Sequence, residues 1–149
     1  MTSRLKKPLK AGSSNMPDSQ MRLRYDRADV LDEGSAASRV RVSVSYAGQS
    51  FAAEAATGDE PVGYLKAAAT AALSAIEAAV GQRFTARLAD VDHVNALGKD
   101  LVAVLVDIVF EGKEVQVFGS CQIAGAEMDA AVKAALNATN RFVELSMRN

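Results

Sequence analysis

The chain has 149 residues, a single cysteine and a formal net charge of −1. One cysteine excludes an intrachain disulfide, and no apolar run approaches the ~20 residues needed to span a bilayer. The charge is uneven: residues 1–17 carry Arg4, Lys6, Lys7 and Lys10 and no acid, so the rest of the chain is acidic and a nucleic-acid or anionic-membrane role for it is disfavoured.

Residues 1–20 hold two prolines, several small polar residues and no sustained period, and are expected to form a flexible basic tail. No apolar stretch follows the basic residues, so a signal peptide is not expected and the cytoplasm is the default location. From Met21 the pattern changes. Met21, Leu23 and Tyr25 alternate with Arg22 and Arg24, a strand signal. Val40, Val42, Val44 and Tyr46 alternate with Arg39, Arg41, Ser43 and Ser45, which predicts a half-buried strand. Ala47-Gly48-Gln49 supplies a hairpin turn, and Phe51, Ala53 and Ala55 share one face of the segment from Ser50 to Thr57.

After Gly58-Asp59-Glu60, Pro61 suits the first turn of a helix. Leu65, Ala69, Ala72, Leu73, Ile76 and Val80 then fall on one helical stripe, and Gly81 is placed to end it. The order repeats. Phe84 to Asn95 reads as a strand, less regular around Asp90–Asp92. Gly98-Lys99-Asp100 turns the chain. Val102, Val104, Val106, Ile108 and Phe110 alternate, Glu111-Gly112-Lys113 makes a second hairpin turn, and Val115 and Val117 continue into Phe118-Gly119-Ser120. A helix from about Ala126 puts Met128, Val132, Ala135, Leu136, Thr139 and Val143 on one face.

The expected architecture is therefore α+β: two βββα units over residues 21–149, offset by roughly 64 residues, with antiparallel sheets packed against two helices. Placing Gly48 on Gly112 sets Val40 on Val104, Val42 on Val106, Val44 on Ile108 and Tyr46 on Phe110. The second faces of the two sheets differ. The first carries Arg39, Arg41, Ser43 and Ser45. The second carries Ala103, Leu105, Val109 and Phe118, broken by Asp107, and an apolar patch of that kind marks an interaction site. Leu105, Val109 and Phe118 are the interface candidates, with a homodimer as the expected partner.

This order of elements, with two of its turns, resembles the C-terminal regulatory, dimerising domain of 2-isopropylmalate and citramalate synthases. The family's first unit runs into its helix through a turn of the type Gly-Asp-Gly-Pro-Val-Asp-Ala. Gly58, Asp59, Pro61 and Val62 match it, whereas Glu60 stands in place of Gly and Gly63 in place of Asp. In the second unit, Phe118-Gly119-Ser120-Cys121-Gln122-Ile123 leads to an acidic helix start at Glu127 and Asp129. That helix closes on Ala135-Leu136-Asn137-Ala138-Thr139-Asn140-Arg141. The resemblance covers residues 21–143 and implies a non-catalytic domain that dimerises and senses an end-product amino acid. Carried onto this sequence, it implies a ligand site around Gly58, Asp59, Pro61 and Val62, and around Gly119, Ser120, Gln122 and Ile123. The effector would be an aliphatic amino acid or a 2-oxo acid, and no cofactor is implied. The family's catalytic barrel is longer than this entire chain.

The residues themselves offer no catalytic constellation. His93 is the only histidine, so a zinc site or a triad lacks partners, and a solvated or locally bonded imidazole is the plainer reading. Cys121 is read as a small core residue and Asp90 with Asp92 as a turn or strand-edge pair. A double-stranded RNA-binding domain shares the helix–strand–strand–strand–helix order of residues 61–140, but the last helix opens with Glu127 and Asp129, the wrong charge for phosphate. The sequence thus leads to a non-enzymatic module without metal, regulatory or purely structural.

Overall fold

A computed structural model describes residues 22–31, 38–58 and 63–148. The expected basic tail and the turn residues Asp59, Pro61 and Val62 lie outside the described residues. The first unit comprises β1 (Arg24–Leu31), β2 (Arg39–Tyr46), β3 (Gln49–Ala56) and α1 (Gly63–Ala79). The second comprises β4 (Phe84–Ala96), β5 (Lys99–Phe110), β6 (Lys113–Gln122) and α2 (Glu127–Met147). Each unit is a three-stranded antiparallel meander, ordered β1-β2-β3 and β4-β5-β6. The protein is thus an α+β fold of two βββα units.

The expected face of each central strand is the buried one. Val40, Val42 and Val44 on β2, and Val102, Val104, Val106 and Ile108 on β5, are almost fully removed from water. Among the described residues, three hairpins close through Ala47-Gly48, Leu97-Gly98 and Glu111-Gly112, with positive φ at both residues of each pair. That backbone twist matches the twist of paired strands, and a glycine at the second position adopts it without strain. One of the turns sits slightly differently from the sequence reading. Lys99 and Asp100 are already paired in β5, and the β4–β5 turn is made by Leu97 and Gly98.

Both first strands carry a bulge. The register slips between Tyr25 and Arg27 in β1 and between Leu88 and Asp90 in β4. One extra residue reverses which side chains face inward. In β1 the inward set passes from Tyr25 to Ala28 and Val30, paired with Val42 and Val40. In β4 it passes from Leu88 to Val91, paired with Val104.

Helix α1 is buried on most of its circumference by alanines, with Lys66, Ser74 and Ala78 on its exposed strip. Small side chains let β2, β3, β4 and α2 all approach it. It ends in a Schellman motif: the Gln82 N–H donates to the Glu77 carbonyl at 2.9 Å and the Gly81 N–H to the Ala78 carbonyl at 3.1 Å. Helix α2 covers β5 and β6 and reaches β1. Near its C-terminal end Phe142 packs edge-on against Phe110 and Phe84, with ring centroids 5.7 and 6.2 Å apart.

Candidate functional site at the paired helix starts

The two helices begin beside the same recess. A cleft of about 540 Å3 is lined by Tyr64 and Leu65 from the first turn of α1 and by Ala126, Glu127 and Met128 at the start of α2. Val30 of β1 and His93 of β4 complete it. Both strand residues reach the cleft because the bulges have turned the ends of β1 and β4 inward. Val30 and Tyr64 keep large apolar surfaces open, at 43% and 47% exposure.

The polar groups around the cleft tie three elements to the start of α2. His93 Nδ1 lies 3.0 Å from Glu127 Oε2, and its Nε2 lies 3.5 Å from Asp100 Oδ1. Asn95 Nδ2 donates to the same Asp100 oxygen at 3.1 Å. The hydrogen bond from Asn95, joined by the contact with His93, holds the Asp100 carboxyl below its ordinary range. On the other side the Tyr25 hydroxyl donates to Asp129 Oδ1. Partial burial, reinforced by that hydrogen bond and by the carboxylate charge, pushes the Tyr25 ionisation well above its ordinary value.

Helix α2 has no side-chain cap. Ala126 occupies the cap position in an extended conformation and makes no capping hydrogen bond. The first-turn N–H groups, which no intrahelical carbonyl can satisfy, are therefore at the cleft without a built-in acceptor at that position. Their partial positive charge complements an anion, while Glu127 in the lining adds an acceptor for a cation. Chemically, the recess offers apolar walls, oriented donors and a carboxylate, a combination that suits a small amphiphilic molecule. Among the described residues, no group of three or more histidine, cysteine or carboxylate side chains is arranged to hold a metal ion.

Of the residues singled out from the sequence as ligand-binding, Gly58, Gly119, Ser120, Gln122 and Ile123 are described, and they do not line this cleft. Gly58 is exposed at the end of β3, and its carbonyl oxygen lies 2.7 Å from where a Cβ on Gly63 would stand. A side chain at position 63 would therefore press on the Gly58 backbone. Gly119 is buried beneath α2: a Cβ there would come within 2.3 Å of the Ala134 carbonyl oxygen. Its neighbour Ser120 donates its N–H to Asn137 Oδ1 at 3.1 Å. Gln122 is exposed at the end of β6, and Ile123 packs on the core with its N–H on the Asp100 carbonyl at 2.9 Å. Leu105, Val109 and Phe118 do share the outer face of the second sheet, Leu105 and Phe118 as a direct cross-strand pair. Phe118 is 67% exposed.

Val30, Tyr64, Leu65, Glu127 and Met128 were not marked as site residues by the sequence. The acidic start of α2, Glu127 with Asp129, is the sequence signal that lies closest to the cleft. Among the described residues no helix is long and apolar enough to cross a membrane. No family model matches the chain, and no curated protein matches it either.

Proposed function

We propose that this protein is a non-catalytic regulatory module that binds a small amphiphilic metabolite, an aliphatic amino acid or a 2-oxo acid, and works as a homodimer. The observation that carries the reading is the cleft at which both helices start. The uncapped first turn of α2 suits a carboxylate, and Val30, Tyr64, Leu65 and Met128 suit an aliphatic chain. The Glu127 carboxylate, held by His93, favours an amino acid, since it complements an ammonium. The likeness to the regulatory domain of 2-isopropylmalate and citramalate synthases points the same way.

The test is a thermal-shift panel on the full chain with millimolar leucine, isoleucine, valine and their 2-oxo acids. A ligand at 100 times its dissociation constant stabilises by ~2.7 kcal/mol, a rise of several degrees for a domain of this size. One aliphatic compound is expected to give that shift and Val30→Asp to remove it. A flat panel rejects the sensing reading.

The exposed Phe118, beside Leu105 and Val109, favours a second reading, a dimerisation protein with no small ligand. It predicts a flat panel together with a dimer that survives Val30→Asp.

A further inference from the structure

On the far side of α1 from the cleft, a groove of about 920 Å3 runs between the helix and the second sheet. Its charged lining is Glu77, Asp107 and Glu114 against Arg87 alone, three carboxylates to one guanidinium. Two of these carboxylates are anchored by one oxygen. Glu77 Oε2 accepts the Ala86 N–H at 2.6 Å, and Asp107 Oδ1 accepts from Gln116 Nε2 at 2.8 Å. Their second oxygens have no anchoring role in those bonds. Between the carboxylates Val109 and Val115 leave apolar surface open, at 38% and 43% exposure. The occupant this lining selects is cationic and partly apolar, because each property alone would leave half the surface unmatched.

The chain contains such a segment. Residues 4–10 read Arg-Leu-Lys-Lys-Pro-Leu-Lys, four cations and two leucines with no acid among residues 1–17. Only residues 11–21 separate it from the first described residue, Arg22. Fully extended, that connection spans roughly 35–40 Å. A folded unit of this size has a radius of gyration of ~14 Å, so the connection is about as long as the molecule is wide and carries the segment well away from Arg22 over its own surface. A second copy is the poorer occupant through its own groove, which carries the same excess of carboxylates and would be repelled.

We infer that Arg4–Lys10 docks in this groove of its own chain, its lysines on Glu77, Asp107 and Glu114 and its leucines on Val109 and Val115. The contact is electrostatically driven and falls with salt, since the groove is open to water. It is independent of the ligand cleft.

The test is zero-length carboxyl–amine cross-linking of the full chain, with the linked peptides identified by mass spectrometry, in 20 mM and 500 mM salt. Lys6, Lys7 and Lys10 are expected to join Asp107, Glu114 or Glu77, with a several-fold lower yield at high salt. Links made equally to Glu54 and Glu144, which lie on other faces, would overturn the inference, as would no links at all. A mixture of isotopically light and heavy chains separates the sources: light–heavy hybrids would show that a second copy supplies the segment and would overturn docking within one chain. As a second measurement, the Val109 and Val115 methyl resonances are expected to move with salt in the wild-type chain. They should stay fixed in the Lys6→Glu, Lys7→Glu, Lys10→Glu variant, and equal movement in both would reject the contact.

Discussion

The same lattice position in the two sheets has been given opposite chemistry. On the outer face of the first sheet Arg41 faces Glu54 across the β2–β3 pair, and Arg39 Nε reaches Glu54 Oε1 at 3.2 Å. The corresponding positions of the second sheet hold Leu105 facing Phe118. The inner faces barely differ: valines of β2 stand where valines and an isoleucine of β5 stand. Burial of the inner face makes the fold, and two units can share that requirement. The outer face is free to diverge, and here one unit has kept a solvated surface while the other exposes an aromatic ring. The helices diverge as well. Helix α1 passes over Ala55 of β3, whereas α2 lies so close to β6 that the equivalent residue is Gly119.

That last contrast gives the largest expected effect. Gly119→Ala forces a Cβ onto the Ala134 carbonyl and is expected to cost about 2–3 kcal/mol. The reciprocal Ala55→Gly costs about 1 kcal/mol, through backbone entropy and the loss of one partly buried methyl. Urea unfolding measures both, and equal losses would mean that the two helices dock alike. Next, Phe118→Glu gives the second sheet the residue of the first. Self-association of the full chain is expected to weaken tenfold or more, about 1.4 kcal/mol, while the folding stability of one chain moves by less than about 0.5 kcal/mol. Sedimentation at several concentrations reads the first and denaturation the second. An unchanged dimer would remove the outer face from the interface.

Smaller effects come from the ties between β1, β4 and α2. Tyr25→Phe leaves Asp129 without its hydroxyl donor and is expected to cost about 1 kcal/mol. Because the folded state holds Tyr25 in its neutral form, the unfolded chain releases that proton first, near pH 10. Its contribution is complete below pH 10 and declines as pH rises further, and Tyr25→Phe should flatten that decline in a pH series of melts. Asp100 acts at the other end of the scale. Its depressed carboxyl contributes stability above the unfolded value, near pH 4, that is lost as pH falls through the folded value. Asn95→Ala should reduce this acid dependence, by the smallest margin of the series because the group is exposed.

The strands were legible because a sheet with one buried face writes a period of two into the chain. Val40 to Tyr46 and Val102 to Phe110 were readable at full strength. The period failed where a bulge reset it. The alternation of Met21, Leu23 and Tyr25 stops at Asp26, and the continuation of β1 through Ala28 and Val30 was hidden by the change of parity. The irregularity around Asp90–Asp92 has the same origin. The cleft was less legible than the fold. Its residues come from β1, α1, β4 and α2, and no local pattern links Val30 to His93 or Tyr64 to Met128. At Gly119, a glycine marked for a ligand site, a helix and a strand touch, a packing constraint that no local pattern announces.

Each helix also leans on the other unit, α1 on β4 and α2 on β1, in addition to packing on its own sheet. Neither repeat therefore contains a finished core. The hairpins are local and can form early, but the apolar faces they display are sealed only when the far half of the chain arrives. The duplicated pattern consequently does not make two independently stable domains. The protein is expected to lose its structure in one event, with damage to either half felt as a loss of the whole.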